Sequence, residues 1–168
     1  MTGKTAIAQP ISMRGKFKVE HYRQNQHIGT YDLNNDIVNA GKNSILGVQF
    51  HADTQITAWY IGLVDNSGFT AFSNSDTMSS HAGWNEFTTY SETNRVAWTP
   101  DAAASQSITN ATARTFTISG SGTLKGIFVT SNNTKSGTSG TLWSTAAFAA
   151  LVTVASSDQL KVTYTVNT

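Results

Sequence analysis

The chain contains no cysteine, only two prolines, and few charges: 12% of its 168 residues are Asp, Glu, Lys or Arg. Without cysteine there are no disulfides, no thiolate nucleophile and no Cys-ligated zinc, so stability must come from packing or assembly. The formal net charge is +1, too small to steer nucleic acid or a membrane surface. No apolar run reaches the 18 residues of a membrane-spanning helix. Met1 to Gly15 lacks the apolar core of a signal peptide, and none is expected there.

What is present is Ser, Thr and Asn, together about a third of the chain, well above ordinary usage. From Arg114 to Val166 these residues build strands separated by turns. Phe116 and Ile118 alternate with Thr115, Thr117 and Ser119, and Leu160, Val162, Tyr164 and Val166 alternate with Lys161, Thr163 and Thr165. A period of two puts one set on a core and the other toward water. Ser119-Gly120-Ser121-Gly122, Asn132-Asn133 and Ser136-Gly137-Thr138-Ser139-Gly140 supply turns.

The same reading divides the chain into an N-terminal arm, residues 1–14, and one β-rich domain, 15–168. The arm mixes small, polar and apolar residues without a period, and it needs a surface, either another subunit or its own domain. Lys16 to Arg23 alternates, with Phe17, Val19 and His21 on one face. A turn near Asn25-Gln26 returns the chain through Ile28 to Leu33 as a hairpin. Asn34 or Asn35 is a good N-cap with Asp36 in the first turn, and Ile37, Gly41, Ile45, Val48 and Ala52 form a helical stripe, so a helix is expected over about 35–50. Ile56 to Val64 is a near-continuous apolar run, the signature of a strand covered on both faces. Residues 66–83 read as a long loop with a short helix at Asp76–His81. Short strands are expected near 84–90, 95–99, 106–109, 114–119, 123–131, 141–148, 151–155 and 159–166. The fold class is mainly β: an antiparallel β-sandwich with one helix and an extended N-terminal arm.

Catalytic and ligand-binding patterns fare poorly. His21, His27, His51 and His81 form no pair at metal spacing, so no metal or other cofactor is expected. His21 lies on an apolar strand face and reads as a packed residue. Asp76, Ser80 and His81 can be written as a catalytic set, but no G-x-S-x-G elbow accompanies them. Asp32-Leu33-Asn34-Asn35-Asp36 opens like a calcium loop but has Ile37 where Gly is needed and Asn43 where Glu is needed. Glu86 and Glu92 are six residues apart, about 20 Å along one strand, against roughly 5–9.5 Å for a glycosidase pair; they read as solvated carboxylates. Gly120-Ser121-Gly122 is no phosphate loop. Trp59, Trp84, Trp98 and Trp143 could line a sugar platform, or fill a core or interface. Lys4, Arg14, Lys16, Lys18 and Arg23 make the first 23 residues basic against Glu20 alone, which suits docking on an acidic protein surface better than nucleic acid.

Thr57-Ala58-Trp59-Tyr60-Ile61-Gly62-Leu63, Asp76-Thr77-Met78-Ser79-Ser80-His81-Ala82-Gly83-Trp84-Asn85-Glu86-Phe87, Arg95-Val96-Ala97-Trp98-Thr99-Pro100, Gly122-Thr123-Leu124-Lys125-Gly126-Ile127-Phe128-Val129 and Gly140-Thr141-Leu142-Trp143-Ser144 together resemble a family of small structural proteins of tailed bacteriophages. The resemblance covers about 35–168. It implies a capsid decoration (cement) protein, a homo-trimer on the major capsid protein at the virion surface, made in the bacterial host cytoplasm, and not an enzyme. A head–tail, neck or tail component is the alternative within the virion. A carbohydrate-binding adhesion module using exposed tryptophans is the alternative outside it. The residues expected to contact the capsid or another subunit are Lys4, Arg14, Lys16 and Lys18 from the basic segment, with His81 and Trp84 from the long loop.

Overall fold

The computed structural model describes residues 12–168. The order is β1 (Arg14–Arg23), β2 (Gln26–Ile37), α1 (Asn39–Phe50), β3 (Trp59–Asp65), β4 (Asn85–Phe87), β5 (Val96–Trp98), β6 (Ser107–Thr109), β7 (Arg114–Thr117), β8 (Gly122–Thr130), β9 (Leu142–Val154) and β10 (Gln159–Asn167). The ten strands form one curled antiparallel sheet, ordered β4-β3-β8-β9-β2-β1-β10-β6, with β5 on β3 and β7 on β10. The expected mainly β architecture with one helix is the architecture observed.

β2 makes the curl. Its first part pairs with β1, from Gln26 against Arg23 to Asn35 against Gly15. Its end leaves that partner, and Asp36 and Ile37 pair with Thr145 and Ser144 of β9. One strand therefore belongs to both halves and brings their inner faces together. The β1–β2 hairpin closes through Gln24 and Asn25 with φ of 50° and 62°, the left-handed pair of a type I′ turn.

The main core lies between the halves. Phe17 and Val19 from β1, Phe116 from β7, and Leu160, Val162 and Tyr164 from β10 meet Ile61, Leu63, Leu124, Ile127 and Val129 from the other side. The alternations in β1 and β10 are thus the inward faces of real strands. β3 carries a second layer as well. Val64, with Met78, Trp84, Phe128 and Leu142, forms a smaller cluster on the outer face, roofed by Phe69 and Phe72. That explains the unbroken apolar run of β3, since both its faces are covered.

Three local expectations need correction. The helix begins at Asn39, and its N-cap, Val38, makes no side-chain capping bond. Asn34 to Asp36 belong to β2 instead: the buried Asn35 amide donates to Tyr164 Oη at 2.7 Å, and Asp36 is held in the ladder by Thr145. Tertiary pairing overrides the capping preference. Asp76–His81 forms turns and an isolated Thr77–Ser80 bridge rather than a short helix. The strands expected at 141–148 and 151–155 are one strand, β9, whose pairing with β8 jumps from Leu124–Val152 to Gly126–Ala147. The irregularity falls where the sequence suggested a break.

Candidate binding groove and surface

The charged groups Glu86, Glu92, His21 and Asp76, which sequence patterns offered for chemistry, each have a structural partner. Glu86 is not a solvated carboxylate. Arg95 Nε and Nη2 donate to its two oxygens at 3.0 and 2.8 Å, and the two side chains are 5% and 1% exposed. The same guanidinium donates to the carbonyls of Asn132 and Gly137, each at 3.0 Å, and Ser136 N donates to Glu86. This network latches the 131–140 turn onto β4 and the start of β5. Glu92 accepts from the Thr117 backbone N–H through both oxygens, so it also terminates a strand rather than facing water freely. The sequence hid both roles because each partner lies far along the chain.

His21 is buried, as its apolar strand face suggested. Its Nε2 lies 2.8 Å from Asp158 Oδ2, and Arg23 grips the same carboxylate through Nε and Nη2 at 2.8 and 2.7 Å. The Arg23 guanidinium, with help from the Ala155 N–H and His21, holds the Asp158 carboxyl well below the usual carboxylate range against the opposing effect of burial. Asp158 sits in the turn that leads into β10, so the cluster fixes how β10 meets β1.

The set Asp76, Ser80 and His81 does not assemble. Asp76 accepts from Trp84 Nε1 at 2.9 Å and from Ser73 N, while His81 Nδ1 lies against Trp84 O at 3.1 Å. His81 stacks on the Trp84 ring with centroids 3.9 Å apart. Trp84 is only 1% exposed, which corrects its assignment as a surface contact: it is the centre of the outer apolar cluster. His81 remains partly exposed above it.

The basic candidates separate. Arg14 and Lys16 lie on the exposed face of β1, as does Lys18, while Lys4 and most of the 1–14 arm lie outside the described residues. Lys16 meets Asp32 at 3.0 Å across the β1–β2 ladder, and Lys18 meets Glu20 at 2.8 Å. The Glu20 pairing raises the Lys18 pKa. The stripe is thus less basic than residue counting implied, because Asp32 enters it only through strand register.

Three of the four tryptophans do gather. Trp59, Trp98 and Trp143 line a cavity of about 460 Å³ between α1 and the open end of the curled sheet. Ile45 and Val48 of α1 form the facing wall. Two of the indole N–H groups are already used: Trp143 Nε1 donates to Tyr164 Oη at 2.8 Å, and Trp98 Nε1 to Asn110 Oδ1 and Tyr164 O at 2.9 and 3.1 Å. Tyr164 is itself fully buried, and burial pushes its phenol up to about 12. With these polar edges turned inward, the groove is lined mainly by hydrocarbon. The sequence carried the tryptophans but no sign that they share one wall, since β3, β5 and β9 bring them from distant positions.

The helix that walls the groove also carries exposed apolar side chains. α1 buries only Gly41 and leaves Leu46 55% and Phe50 80% exposed. Elsewhere Ile28 and Leu151 are about half exposed. Among the described residues, no cluster of three or more His, Asp or Glu could hold a metal ion, and no helix is long and apolar enough to cross a membrane. No protein-family model matches the chain, and no curated protein is significantly similar to it.

Proposed function

We propose that this protein is a structural binding module that decorates and stabilises a bacteriophage capsid, joining neighbouring major capsid subunits as a trimer. The observation that carries the reading is the disposition of its polar groups. Arg95, Glu86, Glu92, His21 and Asp158 are all spent on holding strands and turns together. What the domain offers outward is hydroxyl-rich strand surface, the β1 face with Arg14, Lys16 and Lys18, and the exposed apolar side of α1. Such a surface suits docking rather than turnover. The resemblance to small virion proteins across about 35–168 supports the same reading.

Anything that binds the assembled shell but not its separated subunits stabilises the shell by mass action. Particles lacking this protein are expected to lose DNA or rupture at a lower temperature than complete particles. Unchanged melting and unchanged infectivity would overturn the proposal. Counting copies per virion separates decoration, which needs hundreds, from a neck or tail position, which needs far fewer. The tryptophan groove gives a carbohydrate no specific support: two of its three indole N–H groups are already bonded within the fold, which leaves Ser44, Gln49 and Gln55 as its polar side chains.

A further inference from the structure

The helix α1 carries apolar side chains on two different faces. Ile45 and Val48 wall the groove, on the side where Gly41 is buried. Leu46 and Phe50, four residues apart and so neighbours on the helix surface, are 55% and 80% exposed. At 3.6 residues per turn, Asn39, Lys42, Asn43 and Gln49 share that second face, and all four are exposed. Neither Leu46 nor Phe50 belongs to either apolar cluster of the domain. A helix of 12 residues is marginal in water unless packing holds its apolar surface, and α1 buries one residue only.

The charges at the two ends of this face indicate what can cover it. Lys42, in the first turn, is the charged residue of the helix, and it forms no ion pair among the described residues. Asp53, just past the C-terminal end, is exposed and pairs with the exposed His51 at 2.9 Å. Between them the polar side chains are neutral amides. The surface is therefore positive at one end, negative at the other and apolar in the middle. Parallel helices in register would set Lys42 against Lys42, which is unfavourable. With the helices reversed or placed head to tail, the Lys42–Leu46 half of one meets the Phe50–Asp53 half of the next. Lysine then faces carboxylate and leucine faces phenylalanine, so the face complements itself.

We propose that the exposed face of α1 is the contact between copies of this chain, with the Lys42–Leu46 half of one helix packed on the Phe50–Asp53 half of another. Repeated round a three-fold axis, this contact closes a trimer, because each α1 gives one half to each neighbour. The inference deepens the capsid reading by naming where its copies meet, and it rests on that reading only for the three-fold symmetry. The helix is about 18 Å long, so the contact is small beside the roughly 1,600 Å² of a standard interface. Association is therefore expected at micromolar rather than nanomolar concentration.

Sedimentation equilibrium of the full-length protein over about 1–500 μM reads the association. Wild type is expected to pass from monomer to trimer within that range. Leu46→Ser/Phe50→Ser is expected to associate at least about a hundredfold more weakly. Lys42→Glu and Asp53→Lys are each expected to associate about tenfold more weakly, because each sets like charges together. Lys42→Glu/Asp53→Lys exchanges the signs and is expected to recover most of that loss. Ile28→Ser/Leu151→Ser, on β2 and β9, is expected to match wild type, and cooperative urea melting checks that every variant keeps its fold. A wild type that stays monomeric, α1 variants that associate like wild type, or a charge exchange that recovers nothing overturns the proposal. A dimer lost with the same variants keeps the α1 contact and overturns the trimer. Variants that still associate but no longer bind capsids make the face a capsid contact, and the proposal fails. Particle melting is read separately, so the capsid reading stands or falls on its own measurement.

Discussion

Arg95 shows how a single charged residue can organise a loop. Its guanidinium is almost fully buried and donates to Glu86 and to two carbonyls of the 131–140 turn. Removing it leaves the Glu86 carboxylate desolvated and short of partners, a change that typically costs about 3–5 kcal/mol. Arg95→Leu is therefore expected to lower the urea midpoint sharply, and Arg95→Leu/Glu86→Leu to recover much of the loss. A double variant as unstable as the single one would place the cost in the turn carbonyls. Asp158 gives the pH counterpart. Its folded pKa is depressed, so its contribution is fully present above the unfolded carboxylate value near about 4 and is lost as pH falls toward the depressed folded value. Urea midpoints measured down the acid limb should fall more steeply for wild type than for Asp158→Asn over that window. Equal slopes would remove Asp158 from the acid response.

At the scale of elements, α1 buries only one of its residues. Its buried residue is Gly41, where a Cβ would lie 2.5 Å from the Trp143 carbonyl oxygen and 3.1 Å from that residue's Cα. Backbone cannot yield as a flexible side chain can. Gly41→Ala is therefore expected to destabilise by about 1–3 kcal/mol, although alanine is the better helix former by about 1 kcal/mol. Thermal melting decides between the two: a raised midpoint would mean that the helix simply moves outward. The helix also shows what could be read in advance. The stripe of Ile45 and Val48 identified the element, and both side chains do face the groove wall. Its start was misplaced by about four residues because Asn35 and Asp36 are excellent capping residues with a stronger claim elsewhere, the Tyr164 hydroxyl and the β9 ladder. Likewise β10 and β1 were legible from alternation, but the pairing of Lys16 with Asp32 was not, because it depends on register.

For the whole molecule, the sheet order explains why stability needs no cysteine. β2 joins both halves, so a single continuous ladder encloses Phe17, Phe116, Phe148 and Tyr164 in one core. Fully burying each such side chain contributes about 1.5–3 kcal/mol. On the capsid proposal, the particle measurement is a whole-assembly test, because small contacts multiply over many copies. The exposed Leu46 and Phe50 of α1 are apolar surface that the proposed contacts would cover.

The amino-acid sequence alone determined the β class, the inward faces of β1, β7 and β10, the double coverage of β3 and the absence of disulfide or thiolate chemistry. These follow from local rules: the two-residue period of a strand and the side-chain inventory hold whatever the tertiary arrangement. Only the tertiary structure decided that Glu86 is buried with Arg95, that Trp84 is core while Trp59, Trp98 and Trp143 share a groove, and that Asn35 belongs to a strand. Each depends on which distant strand lies alongside. That choice is made by summed burial and pairing over the whole chain, and no single segment records it.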